Sequence, residues 1–238
     1  MATSLPDHRV LTFDVVGTLI DFETGIADCL EDVARRGGVT PPGRDVLLAA
    51  FGRAEARQQR AHPERPFTQM LPPIHAEIAA ELGIPDDPAA LRDSIPRWPA
   101  FPDAVETLAW LGERFRLVAL TNADNWALGK MAATLGDPFH DSVTVEDVGV
   151  NKPSPRIFEY CRGRQSVHGY RLPDFLHVAQ SQYHDIAAAT ALGFTTCWIE
   201  RRHGAGGWGA TPPPARVTEP DHHFTSLAGL RRAISGMP

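Results

Sequence analysis

The residues best suited to chemistry in this chain are two aspartates that follow short apolar runs and one lysine that precedes a helical pattern. Asp14 follows the apolar run at residues 10–13, and Asp185 lies shortly after the run at residues 175–179. Lys152 precedes a proline that opens a helical pattern. A cation within about 4–6 Å of a carboxylate favours its ionised form. An ionised aspartate can attack a substrate and form a covalent intermediate.

The elements that must position these residues are strands of a parallel sheet. Four apolar runs are bounded by polar residues, glycine or proline and are too short for typical helices. Helical patterns at residues 103–115, 153–162 and 185–192 alternate with them, which indicates an α/β sheet with helices on both faces. A last strand and helix are expected within residues 222–234. The four predicted strands are residues 10–13, 117–120, 175–179 and 195–199.

The region between the first two predicted strands has a different pattern. It contains four helical stretches and no convincing strand, and proline-rich connections such as residues 40–42 and 71–73 join them. Such a block predicts a helical cap of residues 20–98, inserted into an α/β core of residues 1–19 and 99–238. The glycine- and proline-rich segment 201–221 predicts an irregular surface loop. The predicted cap helices are residues 24–36, 45–60, 74–82 and 88–95.

Small hydrogen-bonding residues follow the same strands as the charged ones. Ligands of open parallel sheets collect beyond the carboxyl ends of the strands, so these residues are expected to meet at one crevice. Each residue alone is more often a turn former, a helix cap or a solvated surface group. Their order along the chain, with the spacing of a βα repeat, is what indicates a site.

These segments resemble the four motifs of the haloacid dehalogenase superfamily. The resemblance covers nearly all of the core, and the helical insertion matches the position of that family's first type of cap. Two further segments, WPAFPD at 98–103 and GFTTCWI at 193–199, are similar to the L-2-haloacid dehalogenase branch. The resemblance implies a Rossmann-like core with a helical cap. The motif segments are FDVVGTL at 13–19, Thr121-Asn122, Lys152-Pro153 and Asp185.

The resemblance also implies a role for each motif residue. Asp14 attacks C2 of a small 2-haloacid, expels halide and forms an ester, which water then hydrolyses with Asp185 as base or as the group that orients the base. Lys152 keeps Asp14 ionised and Thr18 orients it. The substrate, a small carboxylate, or the carbonyl oxygen of the ester is bound by Thr121 and Asn122.

Further candidates for substrate contact lie beside the motifs and in the cap. The cap of this family supplies an arginine for the halide, for which Arg53 is the candidate, with Arg57 one helical turn away. Both could equally be solvated surface charges. His184 could assist the leaving group or the water, or could simply cap a helix. The remaining candidates are Val15, Gln182 and Trp126.

Four positions differ from the dehalogenase pattern. Thr121 and Gln180 replace serines, Phe158 replaces a tyrosine and Gln182 replaces an asparagine. These differences alter the size and polarity of the pocket. The identity of the leaving group, whether chloride, fluoride or a non-halide, therefore stays open. The assignment of Asp14 as the nucleophile is less affected.

Three other functions compete with dehalogenation. A magnesium-dependent phosphatase of this superfamily needs a second aspartate at the position of Val16 and further acidic metal ligands, which are sparse here. No metal or cofactor is therefore expected. The same covalent chemistry could open a small cyclic amino acid, with His184 as a proton donor. A binding module without activity is disfavoured by the intact Asp14, Lys152 and Asp185.

Composition excludes some partners. A net charge of -6 and a pI of about 5.9 do not favour a nucleic-acid or membrane-surface binder. We expect no membrane span, because no stretch approaches the roughly 20 apolar residues required, and no secretory signal. The three cysteines form no CxxC, which fits a reducing cytoplasm. A homodimer is suggested only by the resemblance.

Overall fold

Six parallel strands form the central sheet of the computed structural model, which describes residues 4–236. The four predicted strands are confirmed, and the sequence did not indicate the third strand of the chain. The central position of the first strand places its carboxyl end between the ends of the second and fourth. The strands are β1 (Val10–Phe13), β2 (Arg116–Leu120), β3 (Asp141–Val143), β4 (Phe175–Ala179), β5 (Thr195–Ile199) and β6 (His222–Phe224), in the order β3-β2-β1-β4-β5-β6.

A helical insertion separates β1 from β2, as the sequence predicts. It consists of α1 (Phe22–Arg36), α2 (Arg44–Ala61), α3 (Phe67–Leu82) and α4 (Ala90–Ser94). No strand lies between Phe22 and Arg97 in this fully described part of the chain. The exact limits of the cap, residues 20–98, stay a prediction.

The predicted connection at residues 71–73 is wrong, because α3 continues through Pro72 and Pro73. Proline in a helix removes a backbone hydrogen bond, which normally ends the helix. Here burial dominates, since Phe67, Met70 and Ile74 recur at helical spacing and are fully buried. Tertiary packing therefore overrides the local signal.

The remaining helices cover both faces of the sheet. Successive strand residues enter opposite hydrophobic clusters: Leu117 and Ala119 pack on one side, and Val118 and Leu120 on the other. This arrangement confirms the predicted α/β class. The helices are α5 (Ala104–Gly112), α6 (Asn125–Thr134), α7 (Val145–Val148), α8 (Pro155–Ser166), α9 (Ala187–Ala191) and α10 (Leu227–Ser235), and a π-helical turn at Gln182–Ile186 precedes α9.

The segment 201–221 is irregular, as predicted, but it is more than a surface loop. Ala210 and Thr211 are buried. The backbone of Thr218 is held by both polar atoms of the Gln182 side chain, at 2.9 and 3.2 Å. This segment therefore packs against the carboxyl end of the sheet.

Two smaller observations concern the composition. Cys29, Cys161 and Cys197 are free, buried thiols. Across residues 4–236 no helix is both long and apolar enough to cross a membrane.

One carboxylate joins the insertion to the core. Asp124 accepts a hydrogen bond from the backbone N–H of Ala127 at 2.9 Å and so caps α6. Its other oxygen accepts the backbone N–H of Thr68, at the start of α3, at 2.8 Å and also the Thr68 hydroxyl. Asp124 thus satisfies donors at the N-termini of two helices.

We expect Asp124→Ala to destabilise the protein by roughly 1–3 kcal/mol, because loss of one N-cap typically costs about 0.5–2 kcal/mol. Chemical denaturation measures this change. The control is Glu113→Ala, whose side chain is 72% exposed and whose loss is expected to stay within about 0.5 kcal/mol. Equal stability of the two variants would show that Asp124 does not join the helices.

Candidate active site

Asp14 lies immediately beyond the carboxyl end of β1 and is almost fully buried. Lys152 donates from Nζ to Oδ1 of Asp14 at 2.9 Å, and Thr18 donates from Oγ1 to Oδ2 at 2.6 Å. The Thr18 hydroxyl in turn accepts the backbone N–H of Gln180 at 2.8 Å. Both carboxylate oxygens of Asp14 are therefore fixed in direction, as the sequence-based roles of Thr18 and Lys152 require.

Lys152 is buried between the two aspartates. Its ammonium group donates to Asp14 Oδ1 at 2.9 Å, to Asp185 Oδ1 at 2.7 Å and to the carbonyl oxygen of Leu120 at 2.8 Å. All three of its protons therefore have acceptors. Burial lowers the pKa of Lys152, but the two carboxylates outweigh it and hold the pKa above its usual value.

Asn122 holds the backbone of Lys152. Its Oδ1 accepts the Lys152 N–H at 2.6 Å, and its Nδ2 donates to the Lys152 carbonyl at 3.2 Å. The amide is thus engaged in positioning the lysine, whereas the sequence analysis assigned it to the substrate. Thr121 Oγ1 accepts the N–H of Ala123 at 3.1 Å, which leaves its own proton for another acceptor.

One oxygen of Asp185 accepts hydrogen bonds from two side chains. Its Oδ1 contacts Lys152 Nζ and, at 2.9 Å, Nε2 of His177 in β4. His177 is fixed in turn by Thr12 Oγ1 at 2.9 Å and by the Phe158 ring, which packs edge-on against it. The other oxygen, Oδ2, is buried and has no hydrogen-bond partner among the described residues.

The two carboxylates have opposite pKa shifts. Burial raises the pKa of Asp14, and the charge of Asp185 adds to this effect, while Lys152 and Thr18 act against it. Burial acts on Asp185 too, but Lys152 and the His177 hydrogen bond outweigh it and lower its pKa to about 2. Asp185 therefore ionises first, and one ammonium group serves both carboxylates.

A cavity of about 50 Å³ adjoins these groups. This volume exceeds the roughly 10–15 Å³ that one water needs, so a molecule of a few heavy atoms fits. The strand ends form its floor, and the insertion and the 201–221 segment form its walls. Val16 of the first motif lines the cavity, and the lining residues from outside the motifs are Phe22, Glu55, Gln59, Phe67, Ala123, Gln180, Ser181, His184 and Thr211.

The cap arginines do not reach this cavity. Arg53 is 51% exposed and pairs with Glu81 of α3, and Arg57 is 45% exposed and pairs with Glu77. Positions two residues apart on a helix point about 200° apart, so the turn that buries Glu55 directs both arginines away from the cavity. The proposed halide receiver is thus a surface ion pair, which was the alternative left open.

Three other candidate residues also lie outside the cavity lining. Val15 is buried in the hydrophobic core, and Gln182 holds the backbone of Thr218. The Trp126 ring is partly exposed and stacks under the guanidinium of Arg92, whose central carbon lies 4.1 Å from the ring centre. The structure therefore does not bring these side chains to Asp14.

His184 lines the cavity as a neutral imidazole. Its Nδ1 lies 3.2 Å from Ser181 Oγ and its Nε2 lies 3.0 Å from Gln59 Oε1. Burial lowers the pKa of His184 to about 4. At neutral pH the imidazole is therefore uncharged and is not an acid that could protonate a leaving group. Its backbone N–H donates to Oγ of Ser181 at 2.9 Å.

Sequence reasoning missed two residues that the structure makes prominent. Glu55 lies four residues from the buried Phe51 and seven from Leu48, so a charged group within an apolar helical stripe was its signal. His177, a polar residue inside an apolar strand, was marked in the same way. Thr211, within an irregular segment, carried no comparable signal.

Comparison with known proteins gives consistent matches. The sequence profile of the haloacid dehalogenase-like hydrolases matches residues 8–193. The chain is 31% identical over 210 residues to (S)-2-haloacid dehalogenase 1 of Pseudomonas sp. (strain CBS-3), covering 81% of this chain and 85% of that protein.

Solved structures share the fold. The L-2-haloacid dehalogenase from Xanthobacter autotrophicus, with chloropropionic acid covalently bound, superposes with a TM-score of 0.74 at 20% identity, covering 97% of this chain and all of that one. A defluorinating L-2-haloacid dehalogenase superposes with a TM-score of 0.79 at 20% identity, covering 99% and 100%.

Glu55 gives a prediction about stability. Burial raises the pKa of Glu55 to about 8, so between about pH 4.5 and 8 the folded chain binds a proton that the unfolded chain releases. Stability from this group is therefore lost as pH rises through that window. We expect Glu55→Gln to remove this loss and to raise the Tm relative to the parent at about pH 8, with the difference shrinking towards pH 4.5.

Thermal unfolding across this pH range measures the effect. Each pKa unit corresponds to about 1.4 kcal/mol, so a change of several degrees in Tm is expected. Glu159→Gln, on the exposed side of α8, is the matched control and should follow the parent. Parallel curves for all three proteins would rule out a protonated Glu55.

Proposed function

We propose that this chain, which belongs to the haloacid dehalogenase-like hydrolase family, hydrolyses short 2-haloacids through an ester on Asp14 without a metal ion. The observation that carries the proposal is the single ammonium of Lys152, placed between Asp14 and Asp185 at 2.9 and 2.7 Å. The naming of relatives as (S)-2-haloacid dehalogenases supports the substrate class.

In the first step a carboxylate oxygen of Asp14 attacks C2 of the substrate. The bond from carbon to halide breaks, and the halide departs with its electron pair. Attack from behind the leaving group inverts the configuration at C2. Lys152 keeps Asp14 ionised before attack, and Thr18 holds its second oxygen at 2.6 Å. The covalently bound chloropropionic acid in the Xanthobacter relative supports such an ester.

In the second step water attacks the carbonyl carbon of the Asp14 ester. Oδ2 of Asp185 is buried and unpartnered within residues 4–236, so it can accept a hydrogen bond from this water and orient it. Its low pKa suits a group that polarises water and passes the proton on, rather than one that keeps it. The C–O bond then breaks and releases a 2-hydroxyacid.

The donor set does not fit magnesium. Magnesium prefers octahedral oxygen ligands at about 2.0–2.1 Å, but the ammonium of Lys152 stands where a cation between Asp14 and Asp185 would bind. Val16, which lines the cavity, supplies neither an oxygen ligand nor a proton. Charge compensation by lysine is what supports chemistry at carbon over transfer of a phosphoryl group.

Single turnover in water enriched in oxygen-18 tests the ester. With enzyme in excess over (S)-2-chloropropionate, the first product oxygen should come from Asp14, so the lactate is unlabelled and of inverted (R) configuration. Mass spectrometry should then find oxygen-18 in Asp14. EDTA should leave chloride release unchanged. Labelled lactate in the first turnover would eliminate the ester, and loss of activity in EDTA would eliminate the metal-free route.

The position of His177 generates a second prediction. His177→Ala removes the hydrogen-bond donor that orients Asp185, so ester hydrolysis should slow about tenfold or more while ester formation changes little. Rapid mixing should then show a burst of chloride release and accumulation of the ester on Asp14.

Phe158→Leu is the matched control, since it alters packing against the same imidazole but keeps its hydrogen bond to Asp185. A purely structural role for His177 would slow both steps together in both variants, and no burst would be seen.

A further inference from the structure

Glu55 is the one carboxyl of the insertion among the described residues that line the Asp14 cavity. It is 8% exposed, and within residues 4–236 its carboxyl group has no hydrogen bond or ion pair with another side chain or with the backbone. Burying such a group without a partner is unfavourable. A buried, unpartnered carboxyl at a reactive centre is therefore a candidate for chemistry.

The insertion presents this carboxyl where the proposed halide receiver was expected. Arg53 and Arg57 lie on the opposite side of α2 and pair with α3. Of the described residues around the cavity, only Lys152 is cationic, and its protons are taken by Asp14, Asp185 and Leu120. A departing anion would thus find no free cation on this wall.

Burial sets the protonation state of Glu55, and the charges around the cavity are compatible with a neutral carboxyl group. The titratable groups around the cavity are Asp14, Lys152, His184 and Asp185. With His184 neutral, two carboxylates and one ammonium already leave a net charge of -1, and the proposed substrate adds another anion. Ionising Glu55 there would place like charges together in a buried site, where solvent screens them less than at the surface. Burial alone raises its pKa to about 8, so it carries its proton at neutral pH.

We propose that Glu55 is the catalytic acid of this site and gives its proton to the leaving atom, so that the enzyme favours substrates that lose nitrogen or fluorine from C2 over those that lose chloride or bromide. This inference rests on the proposed attack by Asp14. Chloride and bromide are stable anions, whereas fluoride and amine nitrogen leave far more readily with a proton attached. A carboxylic acid can protonate such leaving atoms, so no guanidinium is required to receive them as anions.

The protons and electrons balance over the cycle. Asp14 forms a bond to C2, the bond from C2 to the leaving atom breaks, and the leaving atom takes both the electron pair and the Glu55 proton. A cyclic amine that enters as the neutral base takes the Glu55 proton in the same step, so its nitrogen keeps the electron pair of the broken C2–N bond and departs as a neutral primary amine. Water then hydrolyses the ester: one of its protons leaves on the product hydroxyl, and the other restores Glu55 when Asp14 returns to its carboxylate form.

The test compares three substrates with the parent protein and Glu55→Gln, which keeps the size of the side chain but has no acidic proton. The substrates are 2-bromopropionate, 2-fluoropropionate and a four-membered cyclic 2-amino acid, which separate the halide and amine sources of the leaving atom. We expect Glu55→Gln to lower kcat on the fluoro acid or the cyclic amino acid by about 100-fold or more. Turnover of the bromo acid should stay within about threefold.

The pH profile separates a catalytic role from a structural one. Turnover of the preferred substrate by the parent should fall on the alkaline side with an apparent pKa near 8, and Glu55→Gln should lack this limb. The bromo acid should show no such limb with either protein. Glu159→Gln, remote from the cavity, should behave as the parent throughout.

The outcomes are distinct. Bromide release with an ester on Asp14, combined with equal losses by Glu55→Gln on all three substrates, would overturn the acid role and leave the proposed function standing. Failure of the parent to form an ester with any of the three would overturn the proposed function and this inference with it. A selective loss on the fluoro acid identifies a defluorinating enzyme, and a selective loss on the cyclic amino acid identifies a ring-opening one.

Discussion

The ammonium of Lys152 is the interaction on which the rest of the site depends. Two buried carboxylates that approach one point repel each other, and burial penalises each of them. One fixed cation, saturated by three acceptors, makes their coexistence possible. The Asn122 amide fixes the position of Lys152, because it hydrogen-bonds both the N–H and the carbonyl oxygen of the Lys152 backbone. The carboxyl ends of β1 and β2 are thereby tied to the loop before α8.

The buried pair is also asymmetric, and the asymmetry follows from the sheet. Asp185 has His177 beneath it on β4, and that imidazole is fixed by Thr12 of β1 and by Phe158 of α8. Asp14 has no such imidazole, and apart from Lys152 only the hydroxyl of Thr18 donates to its carboxylate. One carboxylate is therefore anchored and strongly acidic while the other is less stabilised, which is what a division of labour between a nucleophile and a water-orienting group needs.

The sequence was sufficient for the strands that carry Asp14 and Asp185, although it did not indicate β3, and it was insufficient for the buried face of the cap. Asp14 and Asp185 follow strands that short apolar runs mark clearly, and Lys152 lies just before α8. The topology of a parallel sheet then brings the three residues together. The face of α2 was harder to predict. Arg53, Glu55 and Arg57 are all charged, and only the packing of α2 against α3 determines which of them is buried. Likewise Pro72 and Pro73 indicated a break, whereas burial of their helix kept it continuous.

Asp124 has a consequence for the wall of the cavity. It caps α6 of the core and the start of α3 in the insertion, so separating the two helices at this point would expose two helix N-termini at once. Phe67, the first residue of α3, lines the cavity. One carboxylate therefore couples the packing of the core to the shape of the cavity, and a change that loosens either helix also alters the wall beside Asp14.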